Sequence, residues 1–373
     1  MTLKPQMPSF DDEEDSKVPS GLPPVIDAHV HVFPSSIFSA IRKWFDEHAW
    51  HIRYQMSTSE VFEFLLSRGI KNIIALQYAH KPGIARQLNT YLAKKCRKYH
   101  GQVTGMATVF PGERDAEAIL QEAFDDGLSG LKLHAHVQCF DMNSEYMYPI
   151  YECCSEYGKP IVMHVGREPK SEAYSCDPYE LCSAERLERV LRDFPDLKIC
   201  VPHLGFDEIY AYKNLIEKYD NLWLDTTMVI TDYFSIEGKP PLSHYRADRI
   251  MYGSDFPNIP YAWDRELKEL AKADMPEDAL EKICFKNAEA FFSFHPATFY
   301  KGGTLKTSTF EGGWRPPHLE EAREGRGSSH QYCRRCELNG WRRDILAPFG
   351  ASKKCNGLNP FHSISERVPA RSR

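Results

Sequence analysis

From residue 25 onward the chain alternates between two periodicities. Short runs rich in β-branched residues read as strands, and the stretches between them place apolar residues at helical spacing. The strand runs are 25–32, 72–77, 103–110, 130–133, 160–165, 198–203, 222–226 and 249–253. The helical stretches are 59–68 (capped by Thr58 or Ser59), 84–98, 114–126, 145–157, 184–194, 207–219, 261–273 and 276–292. Gly127 and Gly158 sit where two of these helices must stop, the second followed closely by Pro160. The interval between the seventh and eighth strands carries the weakest helical signal.

The strand centres lie about 23–46 residues apart, and a βα unit needs about 30 residues. Eight such units in roughly 270 residues predict an α/β fold, a (β/α)8 TIM barrel with a parallel eight-stranded barrel. The longest spacings, after the first and fifth strands, predict enlarged loops there. The rival, a doubly wound open sheet, usually carries a glycine-rich turn after its first strand; here Val32 is followed by Phe33, Pro34, Ser35 and Ser36. The predicted organisation is a disordered acidic leader over 1–24, a barrel over 25–294, and a basic, disordered tail over 295–373.

Composition narrows the class. The 373 residues are 42% hydrophobic and 26% charged, a globular balance. No apolar run reaches the roughly 18 residues that span a bilayer, so no membrane association is expected. The net charge of −6 conceals an asymmetry: beyond residue 295 Lys and Arg outnumber Asp and Glu twofold, and the remainder is acidic. An acidic body argues against nucleic acid as the barrel's partner. Eleven cysteines without framework spacing, behind a leader lacking an apolar core, suggest reduced thiols and a cytoplasmic location.

The chemistry concentrates at strand ends. In Val25-Ile26-Asp27-Ala28-His29-Val30-His31, Asp27, His29 and His31 share one face by strand alternation. His164 ends the fifth strand, His203 the sixth and Asp255 the eighth, and barrel chemistry sits at the C-terminal ends of strands. Imidazoles with a carboxylate suit zinc, with manganese or iron as alternatives, and do not suit calcium. His29, His31, His164 and Asp255 are therefore the candidate ligands of one divalent metal ion, which would lower the pKa of a bound water and polarise a substrate oxygen. His203, free of a required ligand role, is a candidate to orient that water or carry its proton.

These motifs, with His203-Leu204-Gly205, Gly253-Ser254-Asp255-Phe256-Pro257 and the closing run 285–292, resemble the amidohydrolase superfamily. More narrowly, they are similar to the amidohydrolase-related branch (amidohydrolase 2) that includes aminocarboxymuconate-semialdehyde decarboxylase. The resemblance covers about 25–294. It implies a TIM-type barrel with one catalytic divalent metal held by His29, His31, His164 and Asp255, and with His203 acting on water or substrate. Lys132, on the fourth strand, occupies the position of a lysine that is carbamylated and bridges two metals in binuclear relatives. It can equally contact an anionic substrate or pair with a carboxylate structurally. His134 shares its face and is a substrate-contact candidate, and His134 or His136 is a candidate extra ligand.

Arg167, three residues past His164, is a candidate to hold a substrate carboxylate. Trp44, His48, Trp50 and His51 in the long first loop are candidates for an aromatic lid or for a simple cover over the barrel mouth. In the tail, His330, Cys333, Cys336 and Cys355 offer a weak zinc pattern.

The leading functional expectation is a metal-dependent hydrolase acting on a small, anionic ester, lactone or amide, with Asp255 and His203 catalytic. The alternative is non-oxidative decarboxylation of an unsaturated or aromatic acid at the same site. A non-catalytic scaffold is the third reading, disfavoured by the complete polar set. A homo-oligomer is compatible with the chain.

Overall fold

The computed structural model describes residues 11–293, apart from 100, 169, 170, 234, 235 and 237. The predicted tail and its cysteine pattern, like the first ten residues, lie outside the described residues. All eight strands form: β1 (Val25–His31), β2 (Ile70–Leu76), β3 (Val103–Gly105), β4 (Leu131–His134), β5 (Ile161–His164), β6 (Ile199–Val201), β7 (Leu222–Asp225) and β8 (Ile250–Met251). They pair in parallel as two sheets, β1-β2-β3 and β4-β5-β6-β7-β8. Isolated parallel bridges join the sheet ends, Ala107 with Leu131 and Val30 with Phe256. The architecture is the expected TIM-barrel type, with helices packed outside the strands.

Two apolar layers follow from the strand faces. Ile26, Ile74, Met106, Val162, Cys200 and Met251 pack inside, and Phe291 and Phe292 of the last helix close that layer. A larger cluster lies between strands and helices. The register of β1 against β2 shifts between Asp27 and Val30. The strict alternation expected for β1 is thereby broken: Ile26 and Ala28 join the inner layer, whereas Val30 and Val32 join the outer cluster. Such irregularities re-aim side chains near functional sites.

Several boundaries differ from expectation. The long first loop contains a helix, Ser35–His48, whose buried face is Phe38, Ile41 and Trp44. The next helix, Thr58–Ser67, is capped by Ser57, not by Thr58 or Ser59. Glu60 Oε2 accepts from Ser57 N at 2.7 Å, completing a capping box. Between β7 and β8 the described residues hold only short 3-10 turns, such as Val229–Thr231. The final helical stretch is interrupted by a π segment, Lys282–Lys286.

Residues 11–24 correct the disordered-leader expectation, because their acidic groups have partners on the barrel. Asp12 pairs with Arg265 at 2.7 Å. Glu14 pairs with Arg53 at 3.3 Å and hydrogen-bonds the Tyr54 hydroxyl. Asp15 N donates to Asp264 at 2.9 Å, and Trp263 Nε1 donates to Asp15 O at 3.0 Å. The eight described cysteines form no disulfide. No described helix is long and apolar enough to cross a membrane.

Candidate metal centre and pocket

The ends of β1 and β8 bring three donors together. His31 Nε2 lies 3.0 Å from Asp255 Oδ1, and His29 Nε2 lies 3.2 Å from His31 Nε2 and 3.5 Å from Asp255 Oδ1. With bonds of about 2.1 Å, ligand atoms sharing one cation stand about 3.0–3.5 Å apart, so these spacings fit. Burial pushes both histidines toward the neutral form. Burial alone would raise the Asp255 carboxyl, but His31, His29 and His203 outweigh it and hold it down to about 2. Two neutral imidazoles and a carboxylate are the donor set that a divalent transition metal takes.

Backbone and supporting groups aim these donors. Asp255 adopts a left-handed conformation (φ 62°). Its N–H donates to His29 O at 2.9 Å. Asp27 is not among the converging donors: Ser254 Oγ and Ser254 N donate to its carboxylate at 2.6 and 3.1 Å, tying β1 to the end of β8. Gly253 is required there, since a Cβ would stand 2.6 Å from Thr227 Oγ1 and 2.8 Å from His29 Cβ. Asp225, which ends β7, accepts from His29 Nδ1 at 2.8 Å, leaving His29 Nε2 for the centre. The other Asp225 oxygen accepts from His203 N at 3.0 Å and Thr227 N at 3.2 Å.

His164 is not gathered with the other expected ligands. A ring nitrogen from each of His134, His136 and His164 lies within 4.8 Å of the others, forming a group separate from His29, His31 and Asp255. The cause is sheet register: β4 and β5 pair His134 opposite His164. Their rings stack with centroids 4.0 Å apart. Glu168 accepts from His136 Nε2 at 2.8 Å, from His164 Nε2 at 3.1 Å and from the Tyr174 hydroxyl at 2.6 Å. Burial pushes His164 down to about 3.

His203 stands between the groups, its ring centroid 4.7 Å from His164 and 5.8 Å from His29. His203 Nδ1 bonds the Thr227 carbonyl at 3.0 Å, so that nitrogen carries the proton and Nε2 is the one left for chemistry.

Lys132 is fully buried with its Nζ 3.3 Å from His29 Nε2, on the floor of the centre. Burial lowers its pKa to about 8, against the opposing pull of Asp225 and Asp255. Arg167 does not reach the pocket, contrary to expectation. Its Nε donates to Cys182 O at 2.9 Å, and its guanidinium lies 3.7 Å from Glu208.

A cavity of about 280 Å³ opens over both groups. Its walls include His31, His134, His164, His203 and Asp255, with Trp44, Trp50, Tyr78, Tyr174 and Phe206 above them. Trp44, His48 and Trp50 line the cavity, and Trp44 stacks on Tyr174 with centroids 5.5 Å apart. His51 instead is exposed and pairs with Asp46. Sequence reasoning missed Asp225 and the clamping role of Glu168. The available signal was a carboxylate closing an apolar strand in Leu222-Trp223-Leu224-Asp225.

Comparisons with known proteins agree with this fold. Residues 26–294 match the family model described as amidohydrolase. An uncharacterised TIM-barrel protein from Bordetella bronchiseptica superimposes with a TM-score of 0.59 at 20% identity, covering 73% of this chain and 99% of that one. The 5-carboxyvanillate decarboxylase of Novosphingobium aromaticivorans, solved with manganese and 4-hydroxy-3-methoxy-5-nitrobenzoic acid, gives 0.52 at 17% identity over 76% of this chain and 100% of that one. The 2,6-dihydroxybenzoate decarboxylase from Rhizobium gives 0.54 at 17% over 72% and 98%. No curated protein matches the chain.

Proposed function

The chain belongs to the amidohydrolase family, and from that premise we propose that it is a metal-dependent, non-oxidative decarboxylase of an aromatic carboxylic acid. The observation that carries this reading is the aromatic wall facing the donor group. Trp44, Trp50, Tyr78, Tyr174 and Phe206 line the cavity together with polar groups that include His31, His203 and Asp255. A planar ring with a carboxylate at one edge suits that combination. The decarboxylases that share this fold, named above for acids of this kind and in one case solved with manganese, support the same class. Hydrolysis of an ester, lactone or amide draws on the same donors, but no feature of the aromatic wall favours it.

A divalent cation held by His29, His31 and Asp255 would polarise the oxygens of the bound acid. Asp225 fixes the His29 tautomer and so keeps its Nε2 available as a donor. The aromatic wall orients the ring and keeps bulk water away from it. His203, its Nδ1–H held by the Thr227 carbonyl, takes a proton from solvent at Nε2 and passes it to the ring carbon that bears the carboxylate. The carbon–carbon bond then breaks, its electron pair returns to the ring and carbon dioxide leaves, so a hydrogen replaces the carboxylate.

The test is carbon dioxide release from 2,6-dihydroxybenzoate, 5-carboxyvanillate and related benzoates, with protein loaded separately with manganese and with zinc. Release that disappears on chelation and in Asp255→Asn supports the proposal. Turnover of esters, lactones or amides with no carbon dioxide from any acid would overturn it.

A further inference from the structure

Two thiols meet beside the cavity, and neither takes part in the chemistry proposed above. Cys139 follows the short helix Ala135–Gln138 at the end of β4, and Cys176 lies in the loop beyond β5. Cys139 Sγ donates to His136 O at 3.4 Å, and Cys176 Sγ donates to the same oxygen at 3.1 Å. We propose that Cys139 and Cys176 are a redox pair, oxidised by hydrogen peroxide to a disulfide that ties together two loops flanking the cavity.

Three observations support the pair. The shared acceptor oxygen brings the sulfurs together, although Cys176 lies 40 positions from His136 in sequence. Access is divided between them: among the described cysteines Cys139 alone is exposed, whereas Cys176 is half-buried. Burial pushes the Cys176 thiol up to about 12, and its contact with Cys139 adds to that. Cys139 is therefore the sulfur that meets the oxidant, and Cys176 the one that resolves it. Finally, Cys139 stands at φ 51°, in the left-handed conformation that ends the helix Ala135–Gln138. Glycine or asparagine ordinarily fills such a position, because a Cβ is crowded there, so this thiol is carried against backbone preference.

The Cys139 sulfur attacks one oxygen of the peroxide, the O–O bond breaks, and a sulfenic acid and one water form. The Cys176 sulfur then attacks the Cys139 sulfur, and its proton leaves with the displaced hydroxide as a second water. Two thiols give up one electron each, and one peroxide is reduced. An external dithiol reverses the step by exchange. The disulfide carries no S–H, so the His136 carbonyl loses both donors. His136 and Tyr174, which precede the two cysteines closely, both line the cavity. The link therefore holds the Tyr174 loop against the turn that carries His136, and with it one side of the cavity. None of this depends on which reaction the metal centre performs.

The experiment exposes the native full chain to hydrogen peroxide, alkylates the remaining thiols and maps peptides without reduction. The expected product is a peptide pair linked through Cys139 and Cys176, reversed by dithiothreitol and lost in both Cys139→Gly and Cys176→Ser. In Cys176→Ser, Cys139 stops at the sulfenic stage and is captured by dimedone. Hydrogen exchange across residues 171–177 slows in the linked protein and recovers on reduction. Absence of the linked peptide from the native protein overturns the proposal, as does a link that forms equally well in denaturant. Exchange across 171–177 that is the same in linked and reduced protein overturns the tie between the loops.

Discussion

Asp225→Asn is the sharpest probe of how this centre is held. The Asp225 carboxylate accepts three hydrogen bonds: His29 Nδ1 at 2.8 Å on one oxygen, and His203 N and Thr227 N at 3.0 and 3.2 Å on the other. An amide has only one acceptor oxygen, and its NH2 must face the remaining donors. If the oxygen stays with the two backbone N–H groups, the NH2 meets His29 Nδ1. The ring then must switch tautomer and protonate the nitrogen that faces the centre. If the amide flips, two buried backbone donors are left unpaired, at about 1–3 kcal/mol each. Either way the metal site weakens. Removing an orienting partner typically costs 10–100-fold in metal affinity, about 1.4–2.7 kcal/mol. Competition against a chelator of known affinity measures this directly, with zinc and with manganese. An affinity within twofold of the wild type, in protein with a normal melting temperature, would refute the orienting role.

His203→Asn should keep the bound metal while turnover falls by about 10²–10⁴-fold; metal content and rate measured in one sample check it, and loss of the metal would make His203 a ligand. Ser57→Ala should destabilise the fold by about 0.5–2 kcal/mol through loss of the cap on helix Thr58–Ser67, measured by denaturant unfolding. Burial, with a smaller push from Lys81, lowers His80 from its ordinary value of 6.5 to about 4 in the folded state. The unfolded chain therefore takes up a proton first as pH falls, so stability drops between about 6.5 and 4 and levels off below; His80→Gln should flatten that slope in melting temperatures recorded across the window.

The barrel was legible because its strands are short, doubly buried and β-branched, and because turn residues punctuate them. The metal centre was partly legible: His29, His31 and Asp255 sit at strand ends and do converge. His164 was legible as a strand-end histidine, but its company was not. Its pairing opposite His134 depends on the register between two strands, which no local pattern encodes. Arg167 failed for a related reason: three residues past a histidine says nothing about where a long side chain turns, and Cys182 O and Glu208 engage it elsewhere. The helix Ser35–His48 was hidden by the expectation of a loop, although Phe38, Ile41 and Trp44 carry helical spacing.

The acidic segment 11–24 also has a consequence in time. Asp15 and Asp264 bond each other across 249 positions of sequence. At about 5–20 residues per second, the ribosome needs roughly 12–50 s to travel between them. For that interval Asp12 and Asp15 wait for Arg265 and Asp264, whereas the partners of Glu14, Arg53 and Tyr54, are made soon after it. The segment is therefore made early and completed in two steps, its Glu14 contacts available first and those of Asp12 and Asp15 last.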